Sequence, residues 1–206
     1  MPHPLVNRSC LEIIRRGGLV IFPTETLYGL GCIVTDEAAV HRLFEVKGRE
    51  LGKPPPVLVA DDAQLQVLVD SPPHIAMQLI EEHWPGALTL VLRARAGVLP
   101  LLTGLADDGS RTIAVRRSAH PVAQALCEGA GIPLIATSAN HAGATGGAAL
   151  PHSLDDIPDS LRQRANIVID GGIVAGQPST VIDCVADPPR ILRQGAIHLK
   201  QFASDT

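Results

Sequence analysis

The stretch Gly17 to Gly31, GGLVIFPTETLYGLG, leaves the fold little freedom. Leu19, Val20, Ile21 and Phe22 form an apolar run with the length and composition of a strand buried on both faces, which calls for covering layers above and below a sheet. Pro23 has no N–H for a ladder and a fixed φ, so it marks the strand's C-terminal edge. Directly after it come Thr24, Glu25, Thr26 and Tyr28, three hydroxyls and a carboxylate where a buried strand surfaces. In α/β sheets ligands sit beyond the carboxyl ends of the strands, so this reads as a pocket floor, with Gly29 and Gly31 letting backbone approach a ligand. A polar strand-turn-helix connection accounts for the same residues with no ligand at all.

The remainder alternates helical and strand patterns, as an α/β chain does. A short helix over Cys10 to Arg16 stops at Gly17-Gly18. Thr35 or Asp36 caps a helix whose apolar face is Ala39, Val40, Leu43 and Phe44 and whose stop is Gly48. A buried strand at Val57 to Ala60 precedes helices through Val69 and over Ile75 to His83. Strands follow at 88–92 and 111–117, and Ser118 caps a helix with the stripe Val122, Ala123, Leu126, Cys127. The last part reads as a strand at Pro133 to Ala136, a long small-residue loop over 141–152 of the kind that lids a site, a helix near Ser153 to Arg164, and strands at 167–169, 179–183 and 190–195. At 206 residues this is one domain, 1–206, without repeat or linker. Cys10, Cys32, Cys127 and Cys184 form no C-x-x-C, and neither a signal peptide nor a long apolar run is present. They read as reduced core thiols in a cytoplasmic protein with no membrane segment. The loop 93–110 lacks the Lys-Ser/Thr of a P-loop, and scattered histidines exclude a histidine-rich zinc site.

Several segments carry candidate chemistry. Lys47-Gly48-Arg49 and Lys53 put three cations in seven residues before a triple proline, more than one helix C-terminus requires. Arginine offers phosphate oxygens a planar fork and lysine a compact charge, so a rigid basic loop suits a polyphosphate. Thr137-Ser138-Ala139-Asn140 is a second strand that surfaces in hydroxyls, and Ser179-Thr180 begins another strand after Pro178. Arg116 and Arg193 lie on strands. A net charge of −4 and 2% aromatics argue against a broad nucleic-acid surface.

In succession, PTETLYGLG at 23–31, Lys47-x-Arg49, Lys53-Pro54, Ser138-x-Asn140, PSTVID at 178–183 and Arg193-x-Gly195 resemble the YrdC-like family over about residues 10–197. The resemblance implies a twisted mixed β-sheet with flanking helices around a large basic cavity, different from a Rossmann fold. It implies formation of threonylcarbamoyl-AMP and pyrophosphate from L-threonine, bicarbonate and ATP, with Mg2+ accompanying the nucleotide. The product would serve a separate transferase complex that modifies tRNA. Carried onto this sequence, it makes Lys47 and Arg49 catalytic, assigns nucleotide contacts to Arg49, Lys53, Thr112, Asn140 and Arg193, and assigns threonine contacts to Thr26, Arg116, Ser138 and Ser179. Two positions depart from the family's pattern: Leu58 stands where many relatives place a histidine, and Ala148 where Pro-Thr is common. The end near Thr206 implies that the extra C-terminal domain of longer members is absent. The alternatives are a carbamoyl-adenylate-forming paralogue with another substrate and a non-catalytic RNA-binding module; weak direct RNA binding stays open.

Overall fold

A hairpin occupies the opening stretch in the computed structural model, which describes residues 3–49, 52–141 and 150–199. Strand β1 (Val20–Pro23) runs antiparallel to β2 (Tyr28–Gly31), with Pro23 opposite Tyr28 as the last pair. The chain therefore turns back through Thr24–Leu27 instead of entering a helix. The turn closes on itself, because the Thr24 hydroxyl donates to the Leu27 carbonyl (2.7 Å) and accepts from the Thr26 and Leu27 N–H groups (3.2 Å each).

This hairpin belongs to a four-stranded sheet ordered β8 (Thr137–Ser138), β2, β1, β9 (Ile167–Val168). A larger sheet runs β11 (Arg190–Arg193), β10 (Thr180–Asp183), β4 (Leu88–Arg93), β6 (Arg111–Arg116), β3 (Val57–Leu58), β7 (Leu134–Ile135), with β5 (Gly104–Leu105) beside β6. Both sheets are mixed: β9 lies parallel to β1, β10 to β4 and β3 to β6, whereas the other pairs are antiparallel. The strand expected at 133–136 is β7 of the large sheet, and the chain goes on past it into β8 of the small one, with Ala136 as the crossing point and its N–H donating to the Pro56 carbonyl (3.0 Å).

At that crossing the sheets come so close that a Cβ on Gly31 would lie 2.1 Å from the Ile135 carbonyl oxygen. Gly31 serves a backbone-to-backbone approach, not a ligand as its sequence context implied. Gly31→Ala is expected to lower unfolding free energy by ~2–3 kcal/mol, because backbone cannot yield as a flexible side chain can. Urea titration of both proteins checks this.

The helices are α1 (Arg8–Arg15), α2 (Glu37–Lys47), α3 (Asp62–Leu68), α4 (His74–His83), α5 (Pro121–Ala130) and α6 (Asp159–Arg164). Asp36 caps α2 by accepting from the Ala39 N–H (2.9 Å), and Gly48 ends it at φ +60°. Two expectations change. The N-cap of α5 is His120, whose Nδ1 accepts from the Val122 N–H at 3.2 Å; Pro121 at the first helical position sets the cap there and frees Ser118 for another partner. The helix expected over 153–164 is a 3-10 turn, Leu154–Asp156, followed by α6, because Pro158 holds Ile157 in an extended conformation.

Val20, Phe22 and Leu58 join Val122, Ala123 and Leu126 of α5 in one buried cluster, and Ile21, Leu30, Leu43, Leu90 and Val115 belong to a second on the other side of the sheets. All four cysteines are buried and free. Burial pushes the Cys32, Cys127 and Cys184 thiols up to about 12, which removes them as nucleophiles at neutral pH. Among the described residues no helix is long and apolar enough to cross a membrane. The expected lid over 141–152 lies, for 142–149, outside the described residues.

Candidate active site

The two sheets leave a hollow of about 270 Å³ where the β1–β2 turn and β8 face the large sheet. From the small sheet it receives Thr24, Thr26, Gly29, Thr137 and Ser138. From the large sheet come Leu58 of β3, Thr89 of β4, Arg116 at the end of β6, Ser179 just before β10 and Arg193 at the end of β11; Arg49 enters from the loop after α2. Three guanidinium groups therefore meet in one small space, and no acidic residue is among the described residues lining it. Its volume falls just under the roughly 300–1,000 Å³ of typical small-ligand pockets, so it is arginine-lined without amounting to the large cavity the resemblance implied.

Each arginine is held by carbonyl or hydroxyl oxygens around it. Arg49 donates from Nε to the Lys53 carbonyl (2.5 Å), from one terminal nitrogen to the Pro54 carbonyl (3.1 Å) and from the other to the Thr137 hydroxyl (3.3 Å), which ties the basic loop to β8. Arg193 donates to both the carbonyl and the hydroxyl of Ser179 (3.0 Å each), and that hydroxyl is 2.8 Å from Thr89 Oγ1. Arg116, only 6% exposed, donates to Thr26 Oγ1 (3.0 Å). Burial pulls all three arginine pKa values down; for Arg116 the Glu25 carboxylate opposes this and Arg193 adds to it. An arginine still stays protonated at neutral pH, so the hollow holds concentrated positive charge partly removed from water. Short hydroxyls between the guanidinium groups can accept or donate as a ligand requires.

Of the residues singled out from sequence, Thr26, Arg49, Arg116, Ser138, Ser179 and Arg193 share this hollow. Lys47 stands behind its wall, 2% exposed, and its amine donates to the Ser138 carbonyl (2.5 Å), the Asn140 carbonyl and Asn140 Oδ1 (3.3 Å). Burial, then the charge of Arg49, pulls its pKa down to about 8. Asn140 Oδ1 also accepts from the Ser138 hydroxyl (2.7 Å), so Asn140 belongs to the wall. Lys53 is exposed, with its carbonyl accepting from Arg49. Thr112 lies buried on β6 opposite Gly104, four residues before Arg116 and away from the lining.

The Sua5_yciO_yrdC family model, described as "Telomere recombination", matches residues 12–195. The chain belongs to the Sua5/YciO/YrdC family. It is 41% identical over 196 residues to a threonylcarbamoyl-AMP synthase of Pyrococcus abyssi, covering 95% of this chain and 55% of that protein. It is 30% identical over 200 residues to Escherichia coli YciO, whose function is uncharacterised, covering 96% and 92% respectively. The structure of P. abyssi Sua5 complexed with L-threonine superposes with a TM-score of 0.84 at 40% identity, covering 94% of this chain and 55% of that one. This chain thus spans about half the length of the P. abyssi synthase and nearly the whole of YciO.

Within this Sua5/YciO/YrdC domain the sequence reading passed over Thr89. Its signal was present: a lone hydroxyl inside the apolar strand Leu88–Leu92, 3% exposed, for which an aliphatic core supplies no partner. Leu27, Pro56, Ala136 and Pro178 also line the hollow, and nothing in their local sequence distinguishes them from core or turn residues.

Proposed function

We propose that this chain is a threonylcarbamoyl-AMP synthase, a nucleotidyltransferase acting on L-threonine, bicarbonate and ATP. The observation that carries the reading is the convergence of Arg49, Arg116 and Arg193 with Thr26, Ser138 and Ser179 on one hollow. The amine of threonine and bicarbonate give a carbamate and water. The carbamate oxygen attacks the α-phosphorus, and the bond to the β-phosphate breaks to release pyrophosphate. No step requires an enzyme nucleophile; alignment of two anions and neutralisation of charge on the phosphate oxygens are what the protein must supply.

Arg49 and Arg193 bind phosphate oxygens from the two sides of the hollow, and Arg116 takes the carboxylate of the amino acid. Thr26, Ser138 and Ser179 read the threonine hydroxyl. Lys47 acts through the Ser138–Asn140 segment that it holds. Lys53 and Thr112, which the resemblance assigns to the nucleotide, are outside the lining and are given no substrate contact in this reading. Mg2+ enters with the nucleotide, as part of MgATP, the substrate. The product serves a cytoplasmic complex that modifies tRNA.

One observation favours a second reading. Leu58 pairs in register with Arg116 and lines the hollow beside it, offering no hydrogen bond to a substrate hydroxyl. A paralogue acting on an amino acid with an aliphatic side chain would suit that wall. Pyrophosphate release from ATP with each common amino acid, with and without bicarbonate, decides. Activity confined to threonine plus bicarbonate supports the first reading, and activity with another amino acid supports the second. Salt-dependent RNA binding without any release overturns both. A site that hydrogen-bonds the substrate hydroxyl is expected to reject the analogue lacking it by ~10⁴-fold.

A further inference from the structure

Among the described residues Glu25 is the carboxylate drawn up to Arg116 beside this hollow, and it sits oddly. Its Oε1 lies 3.7 Å from the nearest terminal nitrogen of Arg116, inside ion-pair range but beyond a hydrogen bond. That oxygen is buried and has no hydrogen-bond partner among the described residues. The other, Oε2, accepts from the Ser118 hydroxyl, the group released from helix capping by Pro121. Buried carboxylate oxygens without a partner are rare enough to need a reason.

The surroundings hold Glu25 in this place. Ser118 follows Arg116 by two residues, so one short segment supplies both the cation and the donor that anchors the carboxylate. On the opposite side, the backbone at Gly176 presses on the turn so tightly that a Cβ there would lie 2.0 Å from the Glu25 carbonyl oxygen. The main chain at Glu25 is thus held in the turn, and the Ser118 hydroxyl anchors the carboxylate. Arg116 in turn uses one nitrogen on Thr26, whose hydroxyl is 2.8 Å from Thr24 Oγ1.

We propose that Glu25 is a positioning residue: its carboxylate neutralises the buried Arg116 guanidinium and aims it into the hollow without occupying the N–H groups that an amino-acid carboxylate would take. A direct two-pronged Glu–Arg pair would consume the fork that makes arginine a carboxylate receptor. At 3.7 Å the attraction persists in a site partly removed from water, while the donors stay available. The inference rests on the synthase reading for the identity of the ligand and on this geometry alone for the ion pair.

The test uses the full chain with Glu25→Gln, Arg116→Gln and the double variant. Glu25→Gln keeps the size of the side chain and the bond from Ser118 but removes the charge. It is expected to raise the KM for threonine roughly tenfold or more while the KM for ATP stays within about twofold. Because Glu25 acts through Arg116, the double variant is expected to bind threonine no worse than Arg116→Gln alone. Ser118→Ala, which only loosens the carboxylate, is expected to shift the threonine KM in the same direction by less. In parallel, ¹⁵N spectra of the ligand-free protein are expected to show a sharp Arg116 guanidinium signal in the wild type that broadens by exchange in Glu25→Gln. Unchanged threonine KM in Glu25→Gln, or a loss that adds in full to that of Arg116→Gln, overturns the proposal. If the wild type releases no pyrophosphate with threonine, the synthase reading fails on its own, and the guanidinium signal decides the role of Glu25: broadening supports it, and an unchanged signal sinks it.

Discussion

With Arg49 replaced by alanine, amino-acid-dependent pyrophosphate release is expected to fall ~100- to 1,000-fold while the protein stays folded. Arg49 is the lining guanidinium that comes from the basic loop; Arg116 and Arg193 both come from the large sheet, and the latter is held to Ser179. Removing Arg49 leaves the triphosphate with charge neutralisation from one side only, so alignment for attack on the α-phosphorus is lost together with the charge. The fold is not indifferent to the change. From sequence alone Arg49 passes for a solvated loop cation, yet in the structure it is half-buried and bridges Thr137 to the Lys53 and Pro54 carbonyls. A drop of ~1–2 kcal/mol in unfolding free energy is therefore expected, too little to unfold a typical domain. Arg49→Lys separates the two effects: a single ammonium cannot span two carbonyls and a phosphate, so most of the rate loss should remain although the charge is kept. A folded Arg49→Ala protein with normal turnover removes the loop from the site.

Strand-tip hydroxyls and basic residues were legible because each breaks a local rule: a polar run ends an apolar strand, or cations gather beyond what a helix end requires. What stayed hidden was the pairing. Nothing in GGLVIFPTETLYGLG tells a hairpin from a strand-to-helix connection, since Tyr28 to Gly31 is too short for its period to show, and the hydroxyl of Tyr28 turns out to hold Gly171 and Gly172 instead of facing a ligand. The division of 134–138 between two sheets at Ala136 is equally invisible, because it depends on the close approach of Gly31 more than a hundred residues away. The roles of Lys47 and Glu25 were hidden for a related reason. Sequence shows that a charge is present, whereas burial and partners decide whether it meets the ligand or holds something that does.

Lys47 shows how far that difference reaches. Lys47→Met is expected to lower stability by ~2–4 kcal/mol at neutral pH, because the Asn140 carbonyl loses its donor inside the wall; the Ser138 carbonyl keeps the N–H of Asn140, and Asn140 Oδ1 keeps the Ser138 hydroxyl. Turnover should fall ~10- to 100-fold, as Ser138 and Asn140 drift from position. Its pH dependence has a definite sign. The folded amine titrates at about 8 against an ordinary value of 10.5. Between those values the unfolded chain binds more protons than the folded one, so this group adds stability as pH rises from 8 to 10.5 and withdraws it as pH falls back through 8. Its full size is on the order of 3 kcal/mol. Cys32, Cys127 and Cys184, with thiols near 12, act in the opposite direction above pH 9, so the wild-type curve alone conceals the effect. Urea midpoints of wild type and Lys47→Met from pH 7 to 10 isolate it, since the cysteines are common to both. The gap should widen in favour of the wild type as pH rises; a gap that stays flat means that Lys47 is not buried as a cation against the Ser138–Asn140 wall.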